Sequence, residues 1–454
     1  MISDSQRVWL VLLALAVYVF ICVLSWLNHV RRNKRTQQQI ISDEGVVLVA
    51  YASQTGTAEA LARQSAAQLD GNTPYQLLPL NQVNEDVLAN TRQALFVVST
   101  YGEGEPPDNG AAFARHFLKG TFEQDLSHLQ FSVMALGDKL YQQFCGFGHQ
   151  LYQGLTELGA VALTPPLESC ASDGHNPQQL ISQWQILSGF HSDAPLEEPL
   201  LNTEREFVPA KLINRRWLNP GSPGAPAFFI SLQTQQAFDW QAGDIAELKF
   251  PGGEIRHYSI ASVAKANIIE LIVRQHRFAE GGLGIGSGWL TQHADLQDQI
   301  ELRIKPNPAF YAVDATVPAI FIGSGTGLAG LRAHILERAQ AVGEQPLATS
   351  WLIFGERDPQ KDAWLQSEMQ TWQQQGLQLS LAFSRDEQNP DYVQDVMLQQ
   401  QQQFLSWLEQ GAVIYVCGSR KGMAHGVDAV LQQMLSQTQF EKLINQQRYR
   451  RDIY

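Results

Sequence analysis

Cysteine is scarce in this chain of 454 residues, which holds only Cys22, Cys145, Cys170 and Cys417. Thiols so few and so scattered exclude a disulfide framework and a cysteine-ligated metal cluster, and they suit a reducing compartment. Positive charge is short as well: 32 Lys and Arg stand against 45 Asp and Glu, a net charge of −13. That deficit excludes nucleic acid as a partner, because phosphate binding needs clustered basic side chains. No Ser-His-Asp or paired-carboxylate constellation stands out, so nothing points to hydrolysis by a positioned base.

What is present begins with a long apolar run. From Val8 to Asn28 there is no charge, about the ~20 residues that a helix needs to cross a bilayer. Arg31, Arg32, Lys34 and Arg35 follow at once, whereas Arg7 alone precedes it. The asymmetry predicts a single-pass helix in the inner or cell membrane with the later domains in the cytoplasm. A cleaved signal peptide is the competing reading; the run exceeds the usual apolar region and no small-x-small cleavage site precedes the basic cluster. Residues 1–43 are thus expected to be an anchor and stalk.

The rest divides by its periodicity. Over residues 44–190, short apolar runs (VVLVAYA, ALFVVST, FSVMALG) alternate with helical stretches, which predicts a doubly wound parallel sheet. Residues 191–206, acidic and proline-containing, read as a linker. Residues 207–312 hold short β-rich runs separated by Gly and Pro (FFISL, IAELKF, IELRIK), which predicts an antiparallel β-barrel. The βα rhythm returns over residues 313–454, a second doubly wound sheet of the Rossmann-like kind.

Three strand ends of the first sheet carry chemistry. SQTGTA (Ser53, Gln54, Thr55, Gly56, Thr57, Ala58) is a hydroxyl-rich turn opening a helix, able to aim N–H groups and hydroxyls at one phosphate. Taken alone it reads first as an ordinary helix cap. STYGEG (Ser99, Thr100, Tyr101, Gly102, Glu103, Gly104) and ALGDKLYQQF (Leu136, Gly137, Asp138, Tyr141, Phe144) add two aromatic rings at the same sheet edge. Two rings can sandwich a flat isoalloxazine, and the glycines let the backbone approach it.

SQTGTA, STYGEG and ALGDKLY resemble the FMN domains of diflavin reductases, which descend from flavodoxin. In that family an acidic FMN face docks the electron acceptor, and residues 44–190 hold fourteen Asp and Glu against five Lys and Arg. In the barrel, RHYSIAS is similar to the family's FAD signature: Arg256 would meet the diphosphate, Tyr258 beside His257 the ring, and Ser259 the reactive nitrogen. GIGSG (Gly284, Ile285, Gly286, Ser287) resembles the loop that wraps the FAD diphosphate.

In the last unit FIGSGTG follows a strand and opens a helix, which places Gly325, Thr326 and Gly327 at a dinucleotide site. By the resemblance, Arg357, Ser384, Arg385, Tyr392 and Gln394 bind NADPH, with Arg385 on the 2′-phosphate. Cys417 lies beside the nicotinamide, Asp452 supports hydride transfer, and Tyr454 covers the flavin. The sequence departs from the family in three places: Ser324 stands for the usual Pro, Pro390 and Asp391 where a Lys is common, and PGGEI where relatives carry a long helical connecting segment.

The resemblance therefore implies an NADPH-dependent diflavin oxidoreductase, close to sulfite reductase flavoprotein subunits, that passes electrons from NADPH through FAD and FMN to an acceptor protein with haem or iron-sulfur. Two other readings stay open: a membrane-bound reductase of ferric chelates or quinones, and a non-catalytic flavodoxin-type docking protein.

Overall fold

Runs that are apolar at nearly every position become strands covered on both faces, and the two parallel sheets follow from such runs, whereas the strands of the antiparallel sheet, such as QIELRIK, alternate. The computed structural model describes residues 46–454 apart from 55, 70–72, 102–103, 119–121, 123, 140–142, 171–179, 185–205, 236–238 and 266. The first sheet comprises β1 (Val47–Ala52), β2 (Tyr75–Pro79), β3 (Gln93–Ser99), β4 (Gln130–Gly137), β5 (Val161–Ala162) and β6 (Leu167–Cys170). All its pairs are parallel, in the order β2-β1-β3-β4-β5, with β6 also on β4. Alternate residues of β1 feed two cores. Leu48, Ala50 and Ala52 face one layer, and Val47, Val49 and Tyr51 the other. The helices α1 (Thr57–Ala67), α2 (Glu85–Asn90), α3 (Asp108–Phe113) and α4 (Gly146–Glu157) cover them.

The second unit is antiparallel: β7 (Val208–Trp217), β8 (Ala227–Thr234), β9 (Ile245–Lys249), β10 (Ile255–Ser259), β11 (Ile268–Arg274) and β12 (Gln299–Lys305), in the order β10-β9-β12-β7-β8-β11. A short helix, α5 (Ile285–Gly288), lies between β11 and β12. The ladder pairing is that of an open six-stranded sheet rather than the closed barrel expected. Just past β10, Ala261 N–H donates to Glu270 O at 2.7 Å and draws the two edges together. Strands β9 and β10 form a tight hairpin, so no connecting segment intervenes there.

The third unit is parallel again, with β13 (Ala319–Ser324), β14 (Ser350–Glu356), β15 (Gln378–Phe383), β16 (Val413–Gly418) and β17 (Tyr449–Ile453) in the order β15-β14-β13-β16-β17. Its helices are α6 (Leu328–Arg338), α7 (Gln366–Gln374), α8 (Val393–Gln399), α9 (Gln401–Glu409), α10 (His425–Met434) and α11 (Gln437–Asn445). The strand order reverses between β13 and β16, which is where such sheets bind ligands.

One expectation is corrected. The apolar run at residues 8–28 lies outside the described residues, and among the described residues no helix is long and apolar enough to cross a membrane. The placement in the inner or cell membrane therefore does not stand.

Candidate active site at the C-terminal strand

The parallel register of β16 on β17 sets Cys417 opposite Asp452. Asp452 Oδ2 accepts from Ser259 Oγ at 2.5 Å and lies 3.6 Å from Cys417 Sγ. Burial pushes the Asp452 carboxyl up, while its bond from Ser259 pulls the other way. Burial, and then the Asp452 charge, push the fully buried Cys417 thiol well up. This cysteine is therefore no thiolate nucleophile; it is a small apolar wall. Tyr454, half exposed at the end of the chain, donates its hydroxyl to Thr326 Oγ1 at 3.0 Å.

The glycines of the FIGSGTG turn are dictated by this neighbourhood. A Cβ at Gly327 would overlap the Cys417 carbonyl, and one on Gly330 would lie 3.0 Å from Cys417 Sγ. Gly325 has φ +58, where side chains are strained. The turn after β13 thus keeps its backbone bare beside Cys417, as a dinucleotide needs. The GIGSG loop is packed as closely. A Cβ at Gly286 would stand 2.5 Å from the Tyr258 hydroxyl and 3.0 Å from Arg256 Cγ, so GIGSG packs on the RHYS strand. Ser287 Oγ accepts from His276 N–H at 3.0 Å and Gly284 N–H donates to His276 O at 2.9 Å, which fixes that loop. Ile285 is exposed. Burial pushes the Tyr258 phenol up.

His257 takes a different place from its neighbours. Its Nε2 lies 2.8 Å from Glu247 Oε1. Glu247 is buried, which alone would raise its pKa, but His257, Lys305 and Arg303 hold its carboxyl well below the usual range. This group braces β9, β10 and β12 and does not join His257 to the GIGSG loop.

On the dinucleotide side the loops after β14 and β15 run together. Ser384 N–H donates to Glu356 O at 3.0 Å and Arg385 N–H to Arg357 O at 2.8 Å, so Arg357, Ser384 and Arg385 share one edge. Tyr392 is exposed at the start of α8, while the Gln394 amide is turned against Gly426 at the start of α10.

In the first unit, Gly56 caps α1 in the left-handed conformation at φ 87, and Ser53 Oγ accepts from Ala58 N–H at 3.2 Å. Ser99 Oγ donates to Ala52 O at 3.2 Å, Thr100 Oγ1 accepts from Phe147 N–H at 3.2 Å, and Tyr101 and Glu105 exchange backbone bonds across the glycine loop. Gly137 and Phe144 close around Cys145 beside Leu136 and Asp138. Thr55, Gly102, Glu103 and Tyr141 lie outside the described residues, so of the two expected rings Tyr101 alone is placed.

Tyr101 is also where the first unit meets the last. Its hydroxyl donates to Ile453 O at 2.9 Å and lies 3.2 Å from Ile453 N. Arg451 pairs with Asp108 of the first unit and, at 3.0 Å, with Asp428 of its own. Gln54 Nε2 donates to Asp108 Oδ2 at 3.1 Å. Strand β17 alternates: the side chain of Asp452 reaches Ser259 and Cys417 on one face, that of Arg451 meets Asp108 of the first unit on the other, and the backbone of Ile453 bonds Tyr101. Sequence reasoning missed Asp108 and Arg451. The signal for Arg451 was the period-2 alternation of the terminal YRRDIY.

Comparison with known proteins agrees with this division. Residues 49–184 match the flavodoxin family, and residues 321–429 match the oxidoreductase NAD-binding domain family. The chain is 26% identical to the sulfite reductase [NADPH] flavoprotein alpha-component of Bacillus subtilis (strain 168), over 100% of this chain and 96% of that protein. It is 27% identical to the protein of that name from Thiocapsa roseopersicina, over 85% and 83%, and 26% identical to that of Neisseria meningitidis serogroup C (strain 053442), over 90% and 89%. The first alignment spans 592 positions, more than this chain's 454 residues, so that relative carries segments missing here. The chain is a flavoprotein oxidoreductase in which a flavodoxin domain precedes a NAD-binding domain, similar along its length to these sulfite reductase flavoprotein alpha-components.

Proposed function

We infer that this chain is an NADPH-dependent diflavin oxidoreductase, which draws electrons from NADPH through FAD and FMN and delivers them to a protein acceptor. The observation that carries the reading is the convergence on β17: Asp452 on one face reaches Ser259 and Cys417, while Arg451 on the other face and the Ile453 backbone reach Asp108 and Tyr101 of the flavodoxin unit. Bound there, NADPH supplies a hydride, and FAD and FMN convert the pair into single electrons.

The residues supply placement. Gly325, Thr326 and Gly327 take the dinucleotide beside Cys417, whose small side chain leaves room for a flat ring, and Ser384 and Arg385 take the 2′-phosphate. Asp452, kept toward its protonated form by burial, fixes the Ser259 hydroxyl at the hydride site. Tyr454 covers the same surface and excludes water until a nicotinamide displaces it. Arg256 and the GIGSG loop hold the FAD diphosphate. The SQTGTA turn and Tyr101 hold FMN, with residues 44–190, 207–312 and 313–454 as the FMN, FAD and NADPH units. The relatives are named as alpha-components of sulfite reductase, which favours a separate protein as acceptor here.

Flavin extraction from the purified protein tests this. FAD and FMN are expected in equal amounts, with NADPH-driven reduction of cytochrome c. FAD without FMN sinks the reading.

A further inference from the structure

The turn that joins β7 to β8 belongs to the antiparallel unit, yet its hydrogen bonds end in the NAD-binding unit. Asp362, in the loop between β14 and α7, is 1% exposed, and its carboxylate accepts from Asn219 Nδ2 at 3.1 Å and from Ser222 Oγ at 3.0 Å. The Ser222 hydroxyl in turn accepts from Gly224 N–H at 3.0 Å, and Asp358 N–H donates to Asp362 Oδ2 at 3.3 Å. A buried carboxylate with donors from both units fixes the two loops against each other. Arg357 lies across the result: a Cβ built on Gly224 would stand 2.7 Å from Arg357 Nη1 and 3.4 Å from its Cδ. Among the described residues the Arg357 guanidinium has no carboxylate partner.

We propose that Arg357 is a second cation for the 2′-phosphate of NADPH, and that Asp362, Ser222 and Gly224 are positioning residues that set it there from the antiparallel unit. This rests on the NADPH reading above. The physical reason is charge. After Arg385 the loop to α8 reads DEQNPDY, with Asp386, Glu387 and Asp391 and no Lys or Arg. Arg385 would thus meet the phosphate alone among three carboxylates, although a phosphate monoester carries about −1.5 to −2 at neutral pH, more than one guanidinium balances. Arg357 stands on the same edge, tied to Arg385 by the bond from Arg385 N–H to Arg357 O at 2.8 Å. Gly224 leaves the space that its guanidinium occupies, whereas an alanine methyl there would push against Nη1. Ser222 carries the position of Gly224 to Asp362, so the preference for NADPH depends on a turn that itself need touch no cofactor.

Steady-state kinetics of the purified protein with NADPH and with NADH, together with calorimetric titration with 2′-AMP, test the assignment. Arg357→Ala raises KM for NADPH and Kd for 2′-AMP by about ten- to a hundredfold and moves KM for NADH by less than about twofold, while Arg357→Lys recovers part of the loss. Gly224→Ala and Ser222→Ala, which keep every cation, give a smaller loss of the same kind, and Ser222→Thr, which keeps the hydroxyl, restores the native preference. A turn with a purely structural part would raise both KM values together or lower the midpoint of urea unfolding, and that result overturns the positioning. So does a preference that Arg357→Ala shifts but Gly224→Ala and Ser222→Ala leave alone. Loss of 2′-AMP binding in Arg385→Ala with none in Arg357→Ala sinks this proposal by itself. If the unmodified protein does not distinguish NADPH from NADH, the NADPH reading fails and takes this one with it.

Discussion

The NAD-binding unit is joined on two sides, and the two joints are built of opposite materials. Against the antiparallel unit the contact is apolar: Ala227, Phe229, Ala261 and Ile272 enter the same buried cluster as Leu331, Phe354, Trp364 and Tyr415. Arg332 crosses this joint almost fully buried, donating to Ala261 O at 2.6 Å, Glu270 Oε2 at 2.7 Å and Glu368 Oε2 at 2.7 Å. Against the flavodoxin unit the contacts are polar, with Asp108 on Arg451, Tyr101 on Ile453, and Asn81 Nδ2 donating to Asn445 Oδ1 at 3.0 Å. A cleft of about 620 Å³ opens beside them, lined in part by Asp108, Asp428, Phe440 and Arg451. A joint that shares a core is permanent, whereas one made of hydrogen bonds and ion pairs beside a wet cleft can part and re-form. A carrier that must meet both a flavin and an outside acceptor needs the second kind.

The largest expected effect falls on the apolar joint. His334 is buried among Phe310, Phe321 and Tyr415, with ring centroids 5.1, 6.0 and 4.6 Å away. Burial, then the charges of Arg450 and Arg338, push the imidazole down to about 3. Its folded pKa lies below the unfolded value near ~6.5, so the stability it contributes is present above that pH and is lost as pH falls toward 3. That loss is on the order of 4 kcal/mol. Urea titrations over this range should show His334→Phe markedly flatter with pH than the native chain; parallel curves would place the acid sensitivity elsewhere.

Next comes Arg332→Ala, which leaves Glu270 and Glu368 facing each other across the joint without a cation. Breaking a pair this buried costs about 3 kcal/mol. The midpoint of urea unfolding should drop for the antiparallel and NAD-binding units together and stay put for the flavodoxin unit. A drop shared by all three would mean that the flavodoxin joint is no weaker than the other.

The third prediction turns to the polar joint. Arg451→Ala, or Asp108→Asn, removes a charge-assisted contact worth roughly 1.5 to 3 kcal/mol, so the docked population should fall by about ten- to a hundredfold. Stopped-flow absorbance would show slower electron arrival at FMN with hydride transfer to FAD unaltered, and small-angle scattering a larger radius. Equal slowing of both steps would assign Arg451 to the hydride site instead.

The same contrast explains what was legible in the sequence. Buried strands such as VLVAYA and AIFIGS announce themselves because every position is apolar, and the glycines of FIGSGTG and GIGSG announce close approach by their lack of a side chain. Ser259, Cys417 and Asp452 were named through the family resemblance, and the register of β16 on β17 sets them side by side. The polar joint was not legible. Asp108, Gln54 and Arg451 are ordinary surface residue types, and what unites them is the register of β17 and its approach to another unit, neither of which leaves a local pattern. His257 sits inside the RHYSIAS motif, yet the period of the strand turns it to Glu247.

The smallest effect sharpens the polar joint further. Arg115 Nη2 and Glu441 Oε1 lie 3.6 Å apart at the rim, with side chains 49% and 35% exposed. Exposed pairs of this sort contribute about 0.2 to 1 kcal/mol and are screened by salt. Arg115→Ala should therefore change the docking equilibrium by less than about fivefold at low ionic strength, and its difference from the native protein should fade as salt is added. Arg451, with its side chain 14% exposed between two carboxylates, is shielded from that screening and should keep most of its effect. Measuring the rate of electron arrival at FMN for both variants across a salt series separates the cases. If the two lost their effects in step, the joint would be held by diffuse attraction between an acidic face and a basic one, and β17 would have no privileged part in holding the flavodoxin unit beside the hydride site.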